Sequence, residues 1–253
     1  MYKLRLFVIL NFILTALLAF SQEKLVEKSI NMELKKKMIE FKHESNFIKS
    51  QFFFNKKNWD STLVYSMKQL SSNNNIEVAD YCHYFRGYSF LSKGLFREAK
   101  KELLLISNTF TFDYLKNTSL ANACLELKEF EKAIYYYKEA EKIYQTKNKH
   151  YDISKVYEGL GKVYIFINKF NTAEKYLLKS LAIKNKEKDK LGLFHINNNI
   201  ANLYYQQYKD KQAIIFFKKA YFISQKITDL NAKTLASENM SIVEENRGNH
   251  RKA

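Results

Sequence analysis

The 253-residue chain contains no proline and only six glycines. Without these breakers the chain must turn on polar residues, and nothing interrupts long helices in close succession. Arginine is nearly as scarce: of 42 basic residues only Arg5, Arg86, Arg97, Arg247 and Arg251 are arginines. Specific base readout leans on the arginine fork, so a formal charge of +16 carried mostly by lysine argues against a nucleic-acid partner. The accompanying excess of Lys, Asn, Ile, Tyr and Phe resembles an AT-rich coding bias, and leaves room for a diffuse attraction to anionic envelope surfaces or acidic proteins. Two cysteines, Cys82 and Cys124, are too few for a disulfide framework and read as small buried side chains. The five histidines form no HExxH or Cys/His cluster, so neither a metal nor a cofactor is expected. Gly159-Leu160-Gly161-Lys162 lacks the earlier Gly and the Ser/Thr of a phosphate loop. Glu244 and Glu245, adjacent on a helix, diverge. With no Ser-His-acid or Cys-His arrangement to place, the expectation is a protein that is not an enzyme.

Apolar rings are plentiful, with 18 Tyr and 20 Phe, and the opening segment is mostly apolar. Lys3 and Arg5 open a short positive start, Leu6 to Phe20 form a mostly apolar run, and Ala19-Phe20-Ser21 puts small residues at a cleavage position. The run, broken by Asn11 and Thr15, falls short of the ~20 apolar residues a spanning helix needs. Residues 1–21 therefore read as a secretory signal cleaved after Ser21. They are similar to bacterial export signals, which implies a mature chain outside the cytoplasm, in the periplasm or cell envelope.

The remainder repeats. Small residues recur at Thr62, Ala99, Ala133, Ala173, Ala213 and Ala253, at intervals of 37, 34, 40, 40 and 40. Twelve residues before each stands another small residue: Ser50, Gly87, Ala121, Gly161, Ala201 and Ser241. Aromatics precede four of the markers by three positions, as Trp59, Phe96, Phe130 and Phe170, with Asp210 and His250 departing. Two antiparallel helices approach closely only where neither carries bulk, and one small residue on each supplies that gap. Within this frame, Tyr157, Leu160-Gly161, Tyr164 and Ala173 make a Y-x2-L-G-x2-Y…A pattern. The pattern resembles the tetratricopeptide repeat, a helix-turn-helix unit of ~34 residues. The interval of 40 is similar to an extended subtype of that family, and the family's loop proline is missing here.

The resemblance implies an all-α fold: a right-handed superhelical solenoid of stacked helix-turn-helix hairpins over residues 43–253, about five complete units and a truncated sixth. Residues 22–42, with Lys35-Lys36-Lys37, read as a polar helical lead-in that caps the stack. The polar stretches 146–152, 184–190 and 224–231 read as turns between hairpins, and Gly248-Asn249 as the turn of the last unit. Ala253 then stands one turn into a second helix, so the native protein is expected to continue beyond it.

In such a family the first helices line the concave surface, where partner peptides lie. The face opposite the packing residues carries His195, Asn198, Asn199 and Asn202, with Asn122, Lys162 and Asn239 in neighbouring units. Asparagine both donates and accepts, so a stripe of it can hold an extended backbone whatever its side chains. The stripe resembles the asparagine ladders of peptide-holding repeat proteins. Tyr81, Tyr84, Phe85 and Tyr88 form either a docking pocket or packing between units. The function expected is a peptide-binding or protein-binding scaffold acting outside the cytoplasm. The alternative is the extracytoplasmic sensor region of a longer membrane-anchored regulator, with a kinase or DNA-binding output. Membrane attachment would then come only through the signal segment or a further C-terminal segment.

Overall fold

The computed structural model describes residues 32–72, 75–146 and 151–249, the last eight of them as backbone. The signal segment 1–21, the first part of the lead-in and Ala253 lie outside the described residues. All regular structure among the described residues is helical: α1 over 32–40, then α2 (Ser45–Asn55), α3 (Trp59–Ser72), α4 (Ile76–Ser92), α5 (Phe96–Leu104), α6 (Asp113–Glu126) and α7 (Phe130–Thr146). They are followed by α8 (Ile153–Phe166), α9 (Phe170–Glu187), α10 (Lys190–Gln206), α11 (Asp210–Ser224) and α12 (Leu230–Asn249). Consecutive helices pack in pairs, giving an all-α repeat solenoid. The described residues divide into two compact units, one ending at Tyr151 and the other beginning at Asp152.

The small residues sit where each pair crosses. Gly87, Ala99, Ala121, Ala133, Gly161, Ala173, Ala201 and Ala213 are all buried. A Cβ on Gly87 would stand 2.6 Å from Leu103 Cγ, and one on Gly161 2.6 Å from Leu177 Cγ, so only glycine allows that approach.

Five pairs share one turn, closed without proline. Its centre is left-handed at Lys57, Gly94, Lys128, Asn168 and Tyr208, with φ of 55°, 75°, 59°, 58° and 58°. In each, the next N–H reaches back to a carbonyl in the last turn of the first helix, as Asn58 to Phe53 O (3.0 Å), Leu95 to Phe90 O (2.9 Å) and Lys169 to Tyr164 O (2.8 Å). That bond, with the inner one from the left-handed residue itself, satisfies the last carbonyls of the first helix. Only Gly94 adopts this conformation without steric cost; the other four are held there by the pairing on either side.

In the unit of residues 24–151 the core is aromatic. Phe47, Tyr81, Phe85, Leu103 and Leu120 are buried together, with Leu34 of α1 closing one side. Phe54 and Phe85 stand 4.6 Å apart and Tyr81 meets Phe110 edge-on at 5.2 Å. Tyr81, Tyr84 and Phe85 are therefore packing; Tyr88 alone of that group is exposed. Lys37 ties the lead-in to α4 through Glu77 (2.6 Å). α5 is only nine residues long, and Ile106, Phe110 and Phe112 fill the core after it. Asp80 fixes that loop by accepting from Ser107 N (2.8 Å) and from the Ser107 hydroxyl. Cys82 and Cys124 are both free and buried.

Two turns differ from the sequence expectation. Residues 184–190 are mostly helical: α9 runs to Glu187 and α10 starts at Lys190, since Lys and Glu favour helix and nothing there breaks it. Only Lys188, left-handed at φ 55°, and Asp189 connect the two. Likewise α12 continues through Gly248 to Asn249. A lone glycine does not end a helix whose hydrogen bonding has no competing turn.

Candidate peptide-binding surface

The first helices of the second unit are anchored at their starts. Asp152 caps α8, accepting from Ser154 N (3.1 Å), and Asp189 caps α10, accepting from Gly192 N (2.9 Å). Lys184, fully buried on α9, joins both caps, 3.0 Å from Asp152 Oδ2 and 3.1 Å from Asp189 Oδ2, with Glu187 at 3.3 Å. Burial opposes the ammonium, but these three carboxylates outweigh it and raise the Lys184 pKa. Burial also works against the Asp152 carboxylate, and Lys184 with the Ser154 hydroxyl overcomes it, holding Asp152 below the usual aspartate value.

α10 buries Phe194, Ile196, Ile200 and Leu203 and turns its polar stripe towards the neighbouring first helices. Asn199 Nδ2 donates to Glu158 Oε1 of α8 (2.9 Å), and Lys162 Nζ meets the same oxygen at 3.0 Å. On the other side Asn239 Nδ2 of α12 donates to Asn198 Oδ1 (2.8 Å). Asn198 is 7% exposed, Asn199, Asn202, Lys162 and Asn239 are half-buried, and His195 is exposed. The structure thus brings six of the seven candidates onto three helices of one unit. Asn122 belongs to the other unit, where its Oδ1 accepts from the Tyr137 hydroxyl (2.5 Å).

The amides of Asn198, Asn199 and Asn239 are cross-linked between helices. Each bond uses one site of an amide that offers two donors and two lone pairs, so the remaining capacity is oriented. Glu158 organises the stripe by accepting from both Lys162 and Asn199. The sequence signal for these pairs is their spacing: Glu158 to Asn199 and Asn198 to Asn239 are each 41 residues apart, one more than the repeat. Chemically the surface is a hydrogen-bonding one, of amides, an ammonium and an imidazole. Among the described residues no group of three or more His, Cys, Asp or Glu is placed to hold a metal ion, and no helix is long and apolar enough to cross a membrane.

A family model described as Tetratricopeptide repeat matches residues 114–186. Comparison with curated proteins gave no match. Among solved structures, a Rap protein complexed with competence and sporulation factor has a TM-score of 0.68 at 14% identity, covering 96% of this chain and 73% of that one. TTC0263, a thermophilic TPR protein of Thermus thermophilus, has a TM-score of 0.57 at 18% identity, covering 78% and 98%. YrrB, described as a TPR protein with an unusual peptide-binding site, has a TM-score of 0.54 at 14% identity, covering 81% and 97%. At such identities the likeness is one of fold.

Proposed function

We propose, from the tetratricopeptide-repeat match over residues 114–186 and the repeat-solenoid fold, that the chain is a non-enzymatic scaffold that holds an extended peptide or protein segment along the first helices α8, α10 and α12. The observation that carries this reading is the cross-linked amide stripe, in which Asn198–Asn239 and Asn199–Glu158 bonds leave oriented donors and acceptors beside His195 and Asn202. A peptide backbone offers the complementary groups at every residue, and prior ordering of the side chains lowers the entropy lost on binding. The complex of a Rap protein with competence and sporulation factor and the peptide-binding site of YrrB lend support by analogy of fold.

The test is a peptide array probed with the wild type and with His195→Ala/Asn202→Ala. Neither side chain is fully buried, so the variant keeps its circular dichroism while losing at least about fivefold in affinity, the loss expected from two hydrogen bonds of ~0.5–1.5 kcal/mol each. Undiminished binding by a folded variant would exclude this face. We place the scaffold outside the cytoplasm on the strength of residues 1–21. N-terminal sequencing of protein recovered from fractionated cells tests that placement, with Gln22 expected as the first residue.

A further inference from the structure

The second helices of the same unit present a face that the peptide surface leaves unused. α9 and α11 bury one register, Ala173 and Leu177 on the first and Ala213 and Phe217 on the second, in a shared core with Ile196, Ile200 and Leu203 of α10. Their opposite faces therefore point away from that core. α9 exposes Lys175, Lys179 and Lys186 there, and α11 exposes Lys211, Lys218 and Lys219. Among these lysines stand Leu178, Ile215 and Phe222, exposed by 44%, 52% and 63%.

No carboxylate on either helix is exposed. Glu174 accepts from the Tyr204 hydroxyl (2.5 Å), Glu187 pairs with Lys184 (3.3 Å), and Asp210 is half-buried. The second helices of the other unit are different, for α3, α5 and α7 expose Asp60, Glu98 and Glu131. A lysine-rich composition alone would have made all five faces alike.

We propose that this face of α9 and α11 docks on an anionic lipid surface. Lysine ammoniums on flexible stems follow headgroup charges spread over a plane, which impose no fixed geometry. Phe222, Ile215 and Leu178 then enter the acyl boundary, as the apolar residues of an interfacial helix do. A nucleic acid would satisfy the charge but leave Leu178 and Ile215 without a partner, and neither helix carries an arginine to grip phosphate bidentately.

The test uses the full chain with Trp59→Phe and Phe222→Trp, so that the one indole reports from the face itself. The probes are vesicles of phosphatidylcholine alone and of phosphatidylcholine with about one third brominated phosphatidylglycerol. The expected result is a blue shift and bromine quenching with the anionic vesicles only, weakening as salt rises. Each lysine removed lowers the affinity roughly fivefold, so adding Lys218→Glu/Lys219→Glu reduces it at least about 25-fold, while His195→Ala/Asn202→Ala leaves it unchanged. Emission that stays constant while the protein sediments with vesicles would place attachment elsewhere in the chain and overturn the proposal. So would equal response to neutral vesicles, indifference to the lysine changes, or a response to a single-stranded oligonucleotide at lower concentration than to lipid.

Discussion

At Gly161 the distance between two helices is decided by a missing methyl group. An alanine there would gain about 1 kcal/mol of helix propensity, yet its Cβ would lie 2.6 Å from Leu177 Cγ, and Leu177 is fully buried. Overpacking of this kind costs ~1–3 kcal/mol, so Gly161→Ala is expected to lower the urea midpoint. Leu177→Ala removes the clashing atoms, and the double variant should lose less than the two single losses added. A second residue-scale prediction concerns Glu102, which accepts from Arg86 (2.7 Å) and lies 2.8 Å from His83 Nδ1. Burial would raise its pKa, but the hydrogen bonds and charges of His83 and Arg86 prevail and bring it from 4.5 to about 2. A depressed carboxyl stabilises the fold above its unfolded value and loses that contribution as pH falls through the folded one. Stability should therefore decline between pH 4.5 and about 2, and Glu102→Gln, less stable at neutral pH, should show a flatter decline in urea titrations across that range.

At the scale of the element, Lys184 does what no single hairpin can do alone. Its ammonium ties the cap of α8 to the cap of α10; breaking a fully buried pair costs ~3–5 kcal/mol, and here, where the three carboxylates are part-buried and two keep their cap hydrogen bonds, the loss of their shared counter-charge falls at or below the lower end of that range. Lys184→Met keeps most of the length of the side chain and is expected to lose an amount of that order in chemical denaturation, with α10 fraying first by hydrogen exchange. The sequence hid this residue inside KNKEKDK, because a run of alternating charges has the same composition whether it is a solvated turn or the last turn of a helix around one buried lysine. The hairpins themselves were legible. The interval between small residues located every crossing from Ser50–Thr62 to Ala201–Ala213, and Trp59, Phe96, Phe130 and Phe170 proved to be the first residues of second helices. Left-handed turns at Lys57, Lys128 and Tyr208 were not legible, since nothing in a lysine or a tyrosine announces positive φ. The amide stripe was legible as a face but not as a network: periodicity places Asn198 and Asn199 on one side of α10, and only the packing of neighbouring helices shows them already bonded to Asn239 and Glu158.

For the whole molecule the repeat period was enough to read the all-α architecture, because stacked units need only nearest-neighbour packing. The division into two units was not readable from a period that crosses it without a break. The positions of the reactive and fluorescent side chains give that division an experimental use. Both thiols and the single tryptophan, Cys82, Cys124 and Trp59, belong to residues 24–151. Burial pushes the Cys82 thiol to about 12 and raises that of Cys124, so near neutral pH neither is nucleophilic until its helix pair opens. A maleimide pulse therefore acts as a stopwatch for one unit while the other stays chemically silent. Mass spectrometry of the labelled chain along a urea series is expected to give a curve that follows Trp59 emission. The helical circular dichroism, to which both units contribute, coincides with that curve only if the two halves of the chain unfold together.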